Sequence, residues 1–124
     1  MASLLIVDDD PDLLVLLEAH YGNRGHSVTS ALTCEEAMHL AVAAPPDVLI
    51  TDFCLPRIDG ARLLRFLRDD PATRGLPVIV ISAASNSWIR QRLPDDPLVR
   101  FVEKPFEFAE LDGALDEMLV RLPR

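Results

Sequence analysis

Cysteine is scarce in this sequence: Cys34 and Cys54 are the only two in 124 residues. Two cysteines do not make a disulfide framework, and free thiols in a reducing compartment are the expected state. No apolar run approaches the roughly 20 residues needed to cross a bilayer, and no basic stretch precedes the first apolar segment as a secretory leader requires. Positive charge is also short, since 12 Lys and Arg face 20 Asp and Glu for a formal net charge of −8. Binding to nucleic acid rests on neutralising phosphates with basic side chains, and this balance argues against it. The expectation is a cytoplasmic protein with neither membrane nor nucleic acid as its partner. Apolar residues make up 49% of the chain. That is enough for one domain to bury about two-thirds of its unfolded surface without staples.

What is present has a regular order. Leu4–Val7, Val48–Ile50 and Val78–Ile81 are short runs, apolar throughout and rich in β-branched residues. Such runs suit central strands of a parallel sheet covered on both faces. His26–Ser30 and Val99–Glu103 alternate polar with apolar residues, as half-covered edge strands do. Helical patterns fall between them. Pro11–Tyr21 and Glu107–Leu122 repeat leucines at helical spacing, Ala61–Leu67 is amphipathic, and Thr33–Ala43 opens with Thr33 and Glu36 as a capping box. Ser85–Leu93 reads as a further short helix, ended by Pro94 and Pro97. Five β-α units with short links and right-handed crossovers predict an α/β, flavodoxin-like (βα)5 three-layer sandwich. With the polar strands at its edges, the parallel sheet takes the order 2-1-3-4-5.

In such sheets ligands bind beyond the carboxyl ends of the strands. The residues there are Asp8, Asp9 and Asp10 after the first strand, Asp52 after the third, Ser82 after the fourth and Lys104 after the fifth. The second strand, at the edge, ends in Ala31 and Leu32 and brings no such group. Singly, an Asp after a strand is a turn residue or a helix cap, and Asp10 before Pro11 fits an N-cap with Pro at the first helical position. Together they mark four adjacent strands. Converging carboxylates repel unless a cation sits among them. An oxygen-only set suits a hard ion, Mg²⁺ or Mn²⁺, better than Zn²⁺. The remaining lysine and hydroxyl suit a phosphoryl group, whose transfer needs mainly positioning and charge neutralisation, and a carboxylate can be the nucleophile.

On these motifs the chain resembles the receiver domains of bacterial two-component response regulators. The resemblance rests on LLIVDDD, DVLITDFCLPRIDG, VIVISAA and FVEKPF and covers nearly the whole length. It implies Asp52 as phosphoacceptor, and Asp9 as a direct Mg²⁺ ligand with Asp8 acting through water. The Cys54 backbone carbonyl would complete the protein's share of the metal shell. Lys104 would pair with the phosphate, Ser82 would move to bond it, and Phe101 would follow as the aromatic switch, by packing alone since it has no hydroxyl. A cis Lys104-Pro105 peptide is implied too, and Pro56, Asp59 and Gly60 match the loop after the acceptor. The donor would be the phosphohistidine of a histidine kinase or a phosphotransfer protein. The expected organisation is a single receiver domain over residues 1–124, a monomer or weak dimer. No output domain is expected after it, and no kinase domain before Met1. The stretch Pro94-Asp95-Asp96-Pro97 departs from the family's usual small pair and should stiffen the link before the last strand.

Two rival readings share part of this pattern. A haloacid-dehalogenase-type phosphatase would put the acyl phosphate on Asp8 of Asp8-x-Asp10, although Asp12 stands where that family has Thr or Val. A receiver-like interaction module would bind partners without phosphorylation. An EF-hand reading of Asp8, Asp10 and Asp12 fails, because Leu13 occupies the position that loop reserves for Gly. His20, His26 and His39 have no metal-binding spacing, Cys34 reads as a packed or exposed thiol, and Trp88 is expected near the short fourth helix.

Overall fold

The computed structural model describes residues 2–53, 59–83, 87, 89, 91–93 and 95–120. Five strands carry the fold: β1 (Ser3–Val7), β2 (Ser27–Ala31), β3 (Val48–Asp52), β4 (Val78–Ser82) and β5 (Val99–Glu103). Four helices with bounds inside the described residues accompany them: α1 (Pro11–Asn23), α2 (Cys34–Ala43), α3 (Gly60–Asp69) and α4 (Phe108–Val120). All neighbouring strands run parallel, in the order β2-β1-β3-β4-β5. This is the predicted sheet. Strands β3 and β4 are buried along their entire length, whereas β2 and β5 are partly exposed, as their polar alternation requires.

Side chains alternate between the two faces of a strand, and the sequence uses this to build two cores. Leu5, Val7, Leu49, Val78 and Val80 face α2 and α3, meeting Ala37, Ala41, Leu63, Leu64 and Leu67. Leu4, Ile6, Val48, Ile50, Ile79 and Ile81 face the other way, onto Leu14, Leu17 and Tyr21 of α1 and Leu111, Leu115 and Met118 of α4. The result is three layers with the sheet in the middle.

Each helix start is fixed by a side chain that satisfies otherwise unpaired backbone donors. Asp10 accepts from the amides of Asp12 and Leu13, with Pro11 opening the helix. Thr33 Oγ1 accepts from Glu36 N at 3.1 Å, and Glu36 reaches back to the amide of Leu32 rather than that of Thr33 itself. Asp59 caps α3 through the amide of Arg62. Gly25, at φ 92°, turns the chain from α1 into β2, a backbone conformation open to glycine.

Two expectations shift. His26 lies just outside β2, and its Nδ1 accepts the amide of Ala2 at 3.1 Å. The short helix over 85–93 falls partly outside the described residues. Of those described, Ser87 and Ile89 are helical, and Ile89 is buried against the α2–α3 face. No helix among the described residues is long and apolar enough to cross a membrane.

Candidate functional site

The carboxyl ends of β1, β3, β4 and β5 lie side by side, and backbone hydrogen bonds fix their relative heights. Phe53 N donates to Ile81 O at 3.0 Å and Lys104 N donates to Ser82 O at 2.8 Å, while Asp8 N donates to Ala31 O at 3.2 Å. The frame thus brings Asp8, Asp52, Ser82 and Lys104 to one edge. Asp8, Asp52 and Ser82 are 1%, 7% and 2% exposed, whereas Asp9 is exposed. One carboxylate oxygen from each of Asp8, Asp9 and Asp52 lies within 4.8 Å of the others. Such a set suits a divalent cation bound through oxygen.

Lys104 already balances part of this charge. Its Nζ donates to Asp52 Oδ2 at 2.8 Å and to Asp8 Oδ2 at 3.1 Å. The other oxygen of Asp8 accepts the Asp10 amide at 2.9 Å, which ties the first strand to the start of α1. Burial raises the Asp8 carboxyl above its ordinary range, against the opposing pull of the Asp10 amide and Lys104. For Lys104, burial alone would lower the ammonium. The hydrogen bonds and negative charges of Asp52 and Asp8 outweigh it and hold Lys104 above its usual value.

The neighbouring residues set this geometry. The Lys104-Pro105 peptide is cis, as the family resemblance implied. Phe101 is partly buried and packs against the core under α2 and α3. Gly60 donates its amide to Phe53 O at 2.8 Å, and a Cβ there would stand 2.9 Å from the Phe53 ring. Only glycine lets the start of α3 approach the end of β3 so closely. Beside Lys104 opens a cavity of about 590 Å³, lined mainly by apolar groups that include Leu13, Leu16, Phe106 and Phe108. Cys54, Pro56 and Trp88 lie outside the described residues.

Sequence reasoning missed several contacts. Thr51 is buried, and its hydroxyl donates to the Asp52 carbonyl at 3.0 Å. His20 joins α1 to α4 through Asp112 at 2.9 Å and stacks on Phe108 at 4.1 Å between ring centres. Metal-type spacing cannot reveal a histidine partner 92 positions away. Asp96, within the atypical proline-flanked link, accepts the amide of Leu98 and pairs with Arg68 Nε at 2.7 Å. Cys34, the first residue of α2, is fully buried, and burial pushes its thiol up to about 12.

Comparison with known proteins agrees with this geometry. The response regulator receiver domain family matches residues 4–116. The transcriptional activator protein PfeR of Pseudomonas aeruginosa is 39% identical over 98% of this chain, which spans 39% of PfeR. Across the first curated relatives the chain spans about half of their length or less. A putative response regulator from Chloroflexus aurantiacus superimposes with a TM-score of 0.85 at 32% identity, covering 97% of this chain and 98% of that one. The receiver domain of the sensor histidine kinase PA1611 from Pseudomonas aeruginosa, which carries a magnesium ion in its active-site cleft, gives a TM-score of 0.85 at 25% identity over 96% of this chain and 98% of its own. The family match begins inside β1 and ends inside α4, so it takes in every strand end that meets at the site, and the chain belongs to the family of response regulator receiver domains.

Proposed function

We propose that Asp52 accepts a phosphoryl group from the phosphohistidine of a histidine kinase or phosphotransfer protein. The observation that carries this reading is the bridge of Lys104 Nζ between Asp52 and Asp8, with Asp9 in the same carboxylate cluster. A carboxylate oxygen of Asp52 attacks phosphorus. The new O–P bond forms as the N–P bond to the donor histidine breaks, and the freed imidazole nitrogen takes its proton from solvent.

Asp8, Asp9 and Asp52, with the Cys54 carbonyl, would hold Mg²⁺; Mn²⁺ has the same oxygen preference. The three carboxylates fit a hard divalent cation in donor type and closeness. When bound, Mg²⁺ would neutralise charge on the phosphoryl oxygens. Lys104 exchanges part of its contact with Asp8 for the new oxygens, and the buried Ser82 hydroxyl turns to donate to one of them. Phe101 repacks behind it. The added group carries about −1.5 to −2 charge and strong acceptors, enough to redirect the lysine.

Asp52 is preferred to Asp8 as the nucleophile. Asp8 is more deeply buried than Asp52, and its Oδ1 is held by the Asp10 amide at the start of α1. The apolar rim beside Lys104 supports a protein donor over a small polar one. Residues 1–124 act as one receiver unit in the cytoplasm, as a monomer or weak dimer, and signal through their surface rather than by turning over a substrate.

Incubation with acetyl phosphate and Mg²⁺ should add one phosphoryl group, read by intact mass, and EDTA should prevent it. Asp52→Asn should remain unmodified. Modification of Asp52→Asn to the same extent would remove the assignment, and transfer of the label to Asp8 would revive the phosphatase reading.

A further inference from the structure

Two aromatic rings follow Lys104 closely in the chain, and they are held in different ways. Phe106 is half-buried against the core shared by α1 and α4. Phe108, the first residue of α4, keeps 38% of its surface in solvent. Its ring lies edge-on to Phe106 at 6.4 Å between centres. It also stacks on the His20 imidazole of α1 at 4.1 Å, with the two planes 11° apart. Both phenylalanines line the cavity beside Lys104, together with Leu13 and Leu16 of α1. A ring that rests on His20 is thus part of the cavity wall.

His20 is tied down in turn. Its Nε2 donates to both carboxylate oxygens of Asp112, at 2.9 and 3.2 Å, one turn along α4 from Phe108. Arg24 Nη1 approaches Asp112 Oδ2 at 3.5 Å, which takes part of the carboxylate charge and leaves Oδ1 to His20. The side chains of His20 and Asp112 are 24% and 17% exposed, so solvent screens their charges only in part. Tyr21 stands edge-on to His20 at 4.8 Å, and His26 lies 6.0 Å from Tyr21. Asp116, one turn beyond Asp112, acts on both of them by its charge. Burial and the charge of Asp112 hold the Tyr21 hydroxyl far above its ordinary value, so it stays neutral. Of these groups, only the two histidines are of the type whose charge changes between about pH 5 and 8.

A proton on His20 strengthens both of its contacts. It makes the hydrogen bond to Asp112 charge-assisted on both sides. It also puts a cation over the face of Phe108, inside the roughly 6 Å at which an aromatic ring attracts one. We infer that His20 is a positioning residue that works as a proton-responsive clasp. Its imidazolium, gripped by Asp112, fixes Phe108 in the wall of the cavity beside Lys104, and its neutral form lets that ring move. The stack and the hydrogen bond persist in weaker form without the proton, so the change is one of ring position and mobility, not of fold. The clasp involves neither metal nor phosphoryl group and is independent of the role of Asp52.

The test is a pH titration of the intact chain in metal-free buffer, read by NMR on the ring signals of His20, His26 and Phe108. Between about pH 8 and 5 the Phe108 ring should shift along the same curve as the His20 ring, and the Overhauser contact between the two rings should strengthen. His20→Gln keeps a donor for Asp112 but cannot gain charge, so its Phe108 signals should lose the response. His20→Arg carries a permanent charge that can pair with Asp112 and stack on Phe108, so its Phe108 signals should stay constant. Thermal unfolding checks that each variant keeps the fold; should one unfold, the match of the Phe108 and His20 curves in the parent decides alone. A Phe108 ring that follows His26 instead of His20, one that titrates unchanged in His20→Gln, or a His20–Phe108 Overhauser contact of equal strength at both ends of the range would each overturn the inference.

Discussion

Replacing Lys104 by Met keeps the length of the side chain and deletes the charge between two acids. In the parent its ammonium lies 3.1 Å from Asp8 and 2.8 Å from Asp52, whose side chains are 2% and 10% exposed. Removing one member of a fully buried pair costs about 3–5 kcal/mol. Lys104 keeps 27% of its side chain in solvent, and screening reduces the loss to about 2–3 kcal/mol. For a domain of this size each kcal/mol moves Tm by about 4 °C, so the variant should melt about 8–12 °C lower in EDTA at pH 7. Metal should act in the opposite direction. Carboxylates without their lysine attract a cation more strongly, so the variant should bind Mg²⁺ more tightly than the parent. Free metal at 100 times its Kd then restores about 2.7 kcal/mol. Because Lys104 is held above its ordinary 10.5, its stabilisation is fully present below that value and is lost as pH rises through the folded-state one. Acid narrows the difference from the other side: burial holds the Asp8 carboxyl above its ordinary range, so falling pH neutralises that partner of Lys104 early. Thermal unfolding with and without Mg²⁺ across pH measures all of this. Equal Tm values in EDTA at pH 7, together with an unchanged Mg²⁺ affinity, would refute the neutralising role of Lys104.

Two further predictions concern the surroundings of the site. Gly60→Ala places a methyl 2.9 Å from the Phe53 ring and 3.1 Å from its Cα; overpacking of this kind costs about 1–3 kcal/mol. Slower phosphorylation should accompany the loss, since Phe53 directly follows Asp52, the proposed acceptor, and unchanged stability in urea would contradict the close approach. His26 accepts the Ala2 amide through Nδ1, and burial together with Arg24 keeps its pKa below the ordinary 6.5. The stabilisation it gives is therefore complete above pH 6.5 and declines as pH falls toward the lowered value. His26→Gln should flatten the stability profile between pH 7 and 5, and an identical slope in the two proteins would rule this contact out as its source.

Much of the fold was legible because the chain separates its signals cleanly. Uninterrupted β-branched runs can only be buried on both faces, so β1, β3 and β4 had to be central and β2 and β5 peripheral. Once that order was fixed, the residues after the strands had to meet. The finer placement was not legible. Asp8 and Asp9 are neighbours in an acidic run, yet one is buried against Lys104 and the other faces solvent, a difference set by which way the chain leaves the strand. Pairings between distant elements were equally hidden. Asp96 looked like part of a stiff proline-flanked link, but its carboxylate joins that link to α3 through Arg68. His20 carries no spacing signal because its partner Asp112 sits on another helix. Local periodicity fixes which face of an element is buried; it does not fix which long side chains meet across the gap.

The lysine at the centre of the site also has a history. It comes from the last strand, 52 positions after Asp52 and 96 after Asp8. At roughly 5–20 residues per second of synthesis, Asp52 emerges about 3–10 s before the cation that balances it. Through that interval the nascent chain holds its acids without Lys104, and β4 lacks the neighbour that completes the sheet. The site therefore comes into being only when β5 docks. A chain halted before that point carries Asp52 without the lysine that balances it, so under the proposed reading competence to accept a phosphoryl group reports that β5 has joined the sheet.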